Sequence, residues 1–173
     1  MLSGKYSKSL IYKRHSVRKY GDAPVTQEQT DHILHAAMAA PSAHNKQPWS
    51  FVVIDKRELL DKIAESHPYA KMMRSASFAI VPCVIREIAK TNPFYPQDLA
   101  ASVENMLIAA AECGLGSCWC GVHPNEDIEK IFVDLLNIPE NLFPFAVLAF
   151  GPATEEPVPS DRFDQSRIHY NAW

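Results

Sequence analysis

The feature that most restricts the fold of this chain is a helical pattern over residues 97–113 that is apolar around most of its circumference. Its apolar positions are Leu99, Val103, Met106, Leu107, Ala110 and Ala111. A helix of this kind is buried on more than one side. Gly114 follows directly, as is common where a helix ends in the left-handed conformation. The pattern predicts a central helix with too much apolar surface for one small subunit to cover, so we expect a second copy to pack against it.

Helix and strand patterns alternate around this central segment. Further helices are predicted at residues 26–40, 56–66 and 125–136, and strands at 50–55, 78–85, 117–122 and 143–150. Pro82 lies inside the second predicted strand and favours a sheet edge or a bulge there, because proline cannot donate a ladder hydrogen bond. The alternation would suit a doubly wound parallel sheet. No Gly-x-Gly-x-x-Gly motif follows any strand, however, and a dinucleotide-binding fold is therefore disfavoured.

The length and charge of the chain exclude several classes of protein. With 173 residues and no linker or repeat, we expect a single domain over residues 1–173. The formal charge is −3 without a block of like charge, which disfavours nucleic acid and acidic membranes as partners. No run approaches the ~20 apolar residues of a membrane-spanning helix, and the N-terminus lacks a signal-peptide core. We therefore expect a cytoplasmic protein.

Four cysteines invite a disulfide or metal interpretation. They are Cys83, Cys113, Cys118 and Cys120. Their spacing lacks the paired C-x-x-C pattern of structural zinc sites and the usual spacings of iron–sulfur proteins. We expect reduced thiols that pack as small apolar groups, and no metal site.

A short polar loop between two prolines precedes the first predicted strand. Pro41 and Pro48 restrict the backbone, which predicts a rigid, extended loop that presents Ser42, Asn45 and Gln47. These hydroxyl and amide groups supply the donors and acceptors that a planar heterocycle with ring nitrogens and carbonyls requires. An ordinary connection between a helix and a strand explains the same residues, and the loop alone does not decide between the two.

A basic cluster lies upstream, in the sequence Arg14-His15-Ser16-Val17-Arg18. Arginine forms bidentate hydrogen bonds with phosphate, and serine adds a hydroxyl donor. The cluster therefore indicates a phosphate site, and a solvated basic turn is the alternative.

Taken together, the motifs Arg-His-Ser-x-Arg and Pro-Ser-x-x-Asn-x-Gln-Pro-Trp resemble the nitroreductase family of flavin-dependent oxidoreductases. Three more stretches resemble the family in the same order, at residues 98–110, 114–121 and 161–173. The resemblance implies an α+β fold, a nitroreductase-like α/β/α sandwich with a mixed, mainly antiparallel sheet. It also implies an intertwined homodimer in which the tail of residues 152–173 crosses to the partner subunit.

The resemblance further implies FMN as the cofactor and two half-reactions at one site, which is a ping-pong mechanism. NAD(P)H gives a hydride to the flavin and leaves, and a nitroaromatic, quinone or similar electron-poor acceptor then takes the reducing equivalents. The residues that match the family's cofactor-binding positions are Arg14, His15, Ser16, Arg18, Pro41, Ser42, Ala43, Asn45, Gln47, Lys71, Cys120, Gly121 and Arg162. The motifs identify no general acid.

The resemblance implies a role for several of these residues. Arg14, Arg18 and Arg162 would meet the flavin phosphate, and the loop of residues 41–47 would contact the ring system, often from the partner subunit. Backbone N–H groups at Cys120 and Gly121 would approach the ring. Two other functions stay open, a reductive dehalogenase or flavin-modifying enzyme of the same fold, and a flavin-binding storage or sensor protein without turnover. The sequence does not distinguish NADH from NADPH or identify the acceptor.

Overall fold

The helices and strands are those of a computed structural model that describes residues 9–155 and 162–173. The helices are α1 (Leu10–Lys13), α2 (Gln27–Met38), α3 (Arg57–Ser66), α4 (Arg86–Ala89), α5 (Tyr95–Glu112) and α6 (Glu126–Leu136). The strands are β1 (Trp49–Ile54), β2 (Phe78–Ile85), β3 (Leu115–Gly121), β4 (Leu142–Pro144) and β5 (Ala146–Pro152).

The strands form one sheet in the order β1-β2-β5-β3, and β4 pairs with β2. Every ladder between these strands is antiparallel, with Phe51 opposite Pro82 and Cys118 opposite Ala149. A parallel bridge joins Ser16 to Ser117 at the outer edge of β3. The predicted α+β class and the mixed, mainly antiparallel sheet are confirmed.

Helices cover both faces of this sheet. On one face, α3 and α6 pack against the strands through Leu60 and Phe132, among others. On the other face, α2 and α5 do so through Ile33 and Met106. Each such side chain contributes about 1.5–3 kcal/mol when it is removed from water. Two separate apolar layers therefore hold the α/β/α sandwich together.

Pro82 lies in an interior strand, so the expectation of a sheet edge was wrong. β2 pairs with β1 on one side and with β4 and β5 on the other. The second pairing changes from β5 to β4 next to Pro82, whose carbonyl accepts a hydrogen bond of 2.8 Å from the N–H of Phe145. This interruption also divides the predicted strand 143–150 in two. Because the pairing changes here, the sheet does not need the hydrogen bond that proline, which lacks an N–H, cannot donate.

Local sequence explains where most helices begin and end. Thr26 and Gln29 form a capping box at the start of α2, and the Asn125 side chain caps α6. Gly114 adopts φ = 73° after α5, as predicted. The four-residue helices α1 and α4 were not predicted as helices, because a single turn carries no periodic pattern.

The chain covers α5 more completely than its sequence indicated. No residue from 98 to 111 is exposed, and the least covered side carries the half-buried residues Ala101, Glu104, Ile108 and Ala111. The apolar character of α5 does not, by itself, require a second copy. None of the helices in the described ranges is long and apolar enough to cross a lipid bilayer.

The described part of the tail, residues 162–173, is exposed along its whole length. The side chains of Tyr170 and Trp173 are 77% and 99% exposed. The ring of Trp173 stacks on His169 with a centroid distance of 4.1 Å. Large aromatic side chains therefore remain uncovered at the end of a single copy.

Candidate active site

An extended segment that carries the predicted phosphate-binding residues runs along the outer edge of β3. The N–H of Val17 donates to the carbonyl of Ser117 at 2.9 Å, and Ser16 forms the parallel bridge. Gly116 permits this close approach, since a Cβ there would lie 2.7 Å from a methyl group of Val17. The backbone of the basic cluster is thus fixed against the sheet and does not form a solvated turn.

Arg14 and His15 line a cleft of about 250 Å³ between this segment, α5 and the start of β3, here called the β3 cleft. The Nε of Arg14 lies 3.0 Å from a carboxylate oxygen of Glu104 in α5. The Nδ1 of His15 lies 3.0 Å from the carbonyl oxygen of Lys13. Sequence reasoning missed Glu104, because only the fold brings an acidic residue of α5 to the basic cluster.

Ser16 and Arg18 are exposed and do not line the β3 cleft. The guanidinium of Arg18 lies near the Cys118 and Cys120 thiols, which are buried on the face of the sheet covered by α3 and α6. Lys71 lies on that same side, because its Nζ donates to the carbonyl of Ala64 in α3 at 3.0 Å. The predicted phosphate cluster is therefore divided between the two sides of the β3 edge.

The outer edge of β3 presents backbone amides beyond Ser117. The Ser117 carbonyl points away from β5, so strand alternation directs the N–H of Gly121 to the same open edge. Cys120 has the opposite orientation, and its N–H faces β5. Its buried thiol donates to the carbonyl of Tyr69 at 3.4 Å. Of the two residues predicted to offer an amide to the flavin ring, Gly121 has one on the open edge.

The four cysteines are free thiols in the structure. Burial raises the pKa of the Cys83 thiol to about 12. No group of three or more metal-binding side chains occurs within residues 9–155 and 162–173.

The loop of residues 41–47 is a tight turn, so the prediction of an extended loop was wrong. Residues 43–45 form a turn of 3-10 helix, and φ is positive at His44, Asn45 and Gln47. The Oγ of Ser42 accepts a hydrogen bond from the Gln47 N–H at 3.0 Å, and the Gln47 side-chain amide donates to the Asn45 side-chain oxygen at 2.9 Å. Such a backbone persists only where its surroundings fix it, and strain of this kind is concentrated at functional sites.

A buried carboxylate fixes the loop. Asp98 of α5 is 6% exposed, and one of its oxygens accepts from the N–H of Ala43 at 2.9 Å. The other oxygen accepts from the side-chain amide of Asn92 at 2.7 Å. Sequence reasoning missed Asp98, although an acidic residue among the apolar positions of a central helix was the available signal.

The loop and the β3 cleft lie at different ends of α5. Ala43 is bound to Asp98 near the N-terminus of the helix, whereas Leu107 and Ala111 line the cleft. At 1.5 Å per residue, Asp98 lies about 14 Å along the helix axis from Leu107 and about 20 Å from Ala111. Exposed Pro41, Asn45 and Gln47 therefore do not reach the cleft of their own chain. Arg162 is exposed at the start of the described tail.

The residues at the β3 edge fit the expected cofactor. The side chains of Arg14 and Arg18 supply the positive charge and N–H donors that a phosphate requires. The amide of Gly121 supplies a donor to a ring atom without a titratable side chain. This set suits a heteroaromatic ring that carries one phosphate.

Comparison with known proteins identifies relatives over almost the whole chain. The model of the nitroreductase family matches residues 11–68 and 66–152. A relative from Methanothermobacter thermautotrophicus, named provisionally as an NADH dehydrogenase/NAD(P)H nitroreductase, is 42% identical over 99% of this chain and 92% of its own length.

Solved structures share the fold. A protein from Clostridium acetobutylicum, described provisionally as an NADH oxidase, superposes with a TM-score of 0.91 and 38% identity over 95% of this chain and 100% of the other. A provisionally assigned nitroreductase from Desulfovibrio desulfuricans, solved in complex with FMN, superposes with a TM-score of 0.78 and 29% identity over 95% of both chains.

Proposed function

The chain belongs to the nitroreductase family and is an FMN-dependent NAD(P)H oxidoreductase, and we propose that it reduces nitroaromatic, quinone or similar electron-poor acceptors by a ping-pong mechanism. The observation that carries this proposal is the open edge of β3. There a backbone amide of β3 and the cationic side chains of Arg14 and Arg18 lie beside one strand, with no second phosphate-binding motif in the sequence. A single nucleotide cofactor with one phosphate suits that arrangement.

Our proposal gives each group of residues a role in holding FMN. Arg14 and Arg18 bind the phosphate beside the β3 edge, Arg162 joins them from the C-terminal tail, and Lys71 contacts the ring system. Ser16 and His15 add donors beside them. Bound FMN would accept and deliver hydride. The backbone N–H of Gly121 would donate a hydrogen bond to its ring.

We also propose that the ring-contacting loop comes from a second copy. The residues of this loop are Pro41, Ser42, Ala43, Asn45 and Gln47. Asp98 binds the Ala43 N–H of this loop, about 14–20 Å along α5 from the residues that line the β3 cleft of the same chain. In a two-fold symmetric dimer, the loop of one copy lies over the β3 edge of the other. The exposed aromatic residues of the tail support this arrangement, since the partner would cover them if residues 152–173 crossed to it.

The chain has no separate fold for binding nicotinamide, and we propose that one face of the flavin ring serves both substrates. This implies a ping-pong order. The nicotinamide and the acceptor must occupy the same space above the ring in turn. In this proposal the loop of residues 41–47 from the second copy, with the Ser42 hydroxyl and the Asn45 and Gln47 amides, borders that space and favours planar molecules.

Cofactor analysis and steady-state kinetics test the proposal. We expect purified protein to release FMN, identified by mass spectrometry, with one FMN per chain. Initial rates measured against NAD(P)H at several acceptor concentrations should give parallel double-reciprocal lines. Release of FAD, or intersecting lines that require a ternary complex, would contradict the proposal, and yellow protein that NAD(P)H does not reduce would be a binding protein.

A further inference from the structure

A second polar cleft, here called the Tyr95 cleft, lies between α4, the start of α5, α6 and β4. Its volume is about 330 Å³, which is within the range of small-molecule sites. Its walls include Tyr95, His123, Glu129, Arg86, Lys90 and Phe143. None of these residues belongs to the cofactor set described above.

Three of these side chains form one hydrogen-bonded chain. The hydroxyl of Tyr95 lies 3.1 Å from Nε2 of His123, and Nδ1 of His123 lies 2.7 Å from a carboxylate oxygen of Glu129. The side chains of His123 and Glu129 are 24% and 18% exposed. The chain is therefore held largely out of water, with its phenol end on the cleft.

This arrangement has two proton states. A carboxylate only accepts, so Nδ1–H donates to Glu129 in both states. When the imidazole is neutral, Nε2 accepts the Tyr95 O–H. When it is protonated, Nε2–H donates to the Tyr95 oxygen, and the phenol proton turns into the cleft.

Aromatic packing fixes the geometry of the cleft. The ring of Phe143 contacts Tyr95 edge-on at 5.8 Å and His123 at 5.2 Å between centroids. The guanidinium of Arg86 lies 4.9 Å above the same ring, and its Nε donates to the Glu140 carbonyl at 2.9 Å. Arg86 of α4 adds positive charge to the wall of this cleft, where an oxygen that gains electron density would be stabilised.

The Tyr95 cleft borders the proposed cofactor edge. One residue separates His123 from Gly121, and the N–H groups of Val122 and His123 both donate to the Phe145 carbonyl, at 3.2 and 3.0 Å. Two residues span at most about 7 Å. A ligand in this cleft would therefore lie beside the end of the open β3 edge.

We propose that Tyr95 is the proton donor to the electron acceptor, and that His123 and Glu129 supply and position its proton. This inference rests on the proposed function. In the reduction of a quinone, the hydride from the reduced cofactor provides two electrons and one hydrogen. Tyr95 gives its proton to the second quinone oxygen, Nε2–H of the imidazolium passes to the phenol oxygen, and a hydroquinone leaves. The histidine ends neutral and regains a proton from solvent.

Separate half-reactions test this assignment, with tetramethyl-1,4-benzoquinone as the acceptor because its ring has no position open to thiol addition. In Tyr95→Phe the aromatic packing is retained and the proton is lost. We expect reduction of the bound cofactor by NAD(P)H to be unchanged, and reoxidation by the quinone to slow by about 10²-fold or more. Reoxidation by ferricyanide, which takes electrons without a proton, should be unchanged.

The pH profile distinguishes a proton donor from a structural residue. We expect quinone reduction to slow with rising pH in the native protein, because the donor state needs a protonated His123. In Glu129→Gln the imidazole loses the carboxylate that holds its Nδ1–H, so quinone reduction should slow at a fixed pH while reduction by NAD(P)H is unchanged. The matched control is Glu112→Gln, which removes the carboxylate 3.0 Å from exposed His32 and should change nothing.

A binding measurement keeps the test independent of turnover. In resting protein without NAD(P)H, the quinone should shift the side-chain NMR signals of His123, assigned with His123→Gln, and leave those of His32 in place. Unchanged quinone reoxidation in Tyr95→Phe, or no shift at His123, would overturn the assignment. Failure of NAD(P)H to reduce the native protein would instead refute the proposed function.

Discussion

At the scale of single residues, buried thiols make stability depend on pH. Cys83 is fully buried in the layer between the sheet and the helices α3 and α6, and burial raises its pKa from 9.0 to about 12. The thiol of the unfolded chain ionises above pH 9, whereas the folded chain keeps its proton. The stabilisation is therefore complete below pH 9 and is lost as the pH rises to 12.

We expect the free energy of unfolding to fall between pH 9 and pH 12, with up to about 1.4 kcal/mol per pH unit from Cys83. In Cys83→Ala that contribution is absent, so the decline should be shallower, although the small cavity lowers stability at every pH. Urea unfolding at a series of pH values measures both slopes. Equal slopes in the two proteins would contradict this explanation.

Arg14 combines a structural contact with a proposed phosphate contact. Its bond to Glu104 is partly exposed, with the side chains 25% and 45% accessible, and such pairs contribute at most about 1 kcal/mol. A charge-assisted bond to phosphate contributes roughly 1.5–3 kcal/mol, which is one to two decades in affinity. The phosphate contact should therefore dominate the effect of replacing this residue.

We expect Arg14→Ala and Arg162→Ala to weaken FMN binding by about 10- to 100-fold while unfolding changes little. Glu104→Gln breaks the same ion pair and leaves the guanidinium in place, so it should retain FMN affinity. Fluorescence titration of apoprotein with FMN measures the affinity. Equal FMN retention in Arg14→Ala and Glu104→Gln would remove Arg14 from the site.

At the scale of elements, the fold was predicted from sequence where a pattern spans several turns or a whole strand. The strand at 78–85 and the helices α2, α3, α5 and α6 are local in origin, because the apolar pattern predicts all of them and capping residues mark the start of α2 and α6. The pairs Arg14–Glu104 and Ala43–Asp98 could not be predicted, because each joins segments more than 50 residues apart. The division of the basic cluster depends likewise on how the segment lies on β3.

The loop of residues 41–47 depends on one helix position. In Asp98→Asn, one of the two oxygens becomes an amide that faces the N–H of Ala43 or the amide of Asn92. We expect a loss of roughly 1–3 kcal/mol in stability, because a buried donor is left without a partner. FMN should also bind less tightly. Asp127→Asn, on the exposed first turn of α6, is the control and should change neither the unfolding midpoint nor FMN affinity.

At the scale of the whole molecule, we propose that each complete site requires two copies of the chain. One copy offers the β3 edge with Arg18, and the other offers the loop with Asn45. A chain with Arg18→Ala and a chain with Asn45→Ala each damage both sites of their own dimer. In a dimer that contains one chain of each kind, one site carries both changes and the other carries neither.

We expect doubly tagged mixed dimers, isolated after co-expression, to regain one tightly bound FMN that neither variant retains alone. FMN content per dimer measures this directly. Mixed dimers that bind no better than the two parents would show that a single chain builds its own site.

The most direct test of the central claim, that this chain carries out two half-reactions at one FMN site, is anaerobic mixing of the purified protein with NADH or NADPH alone. Our account predicts complete bleaching of the flavin absorbance without an acceptor. The colour should return when an electron-poor quinone is added after the nicotinamide has been removed. A flavin that bleaches only when nicotinamide and acceptor are both present would contradict it. So would a flavin that neither NADH nor NADPH bleaches.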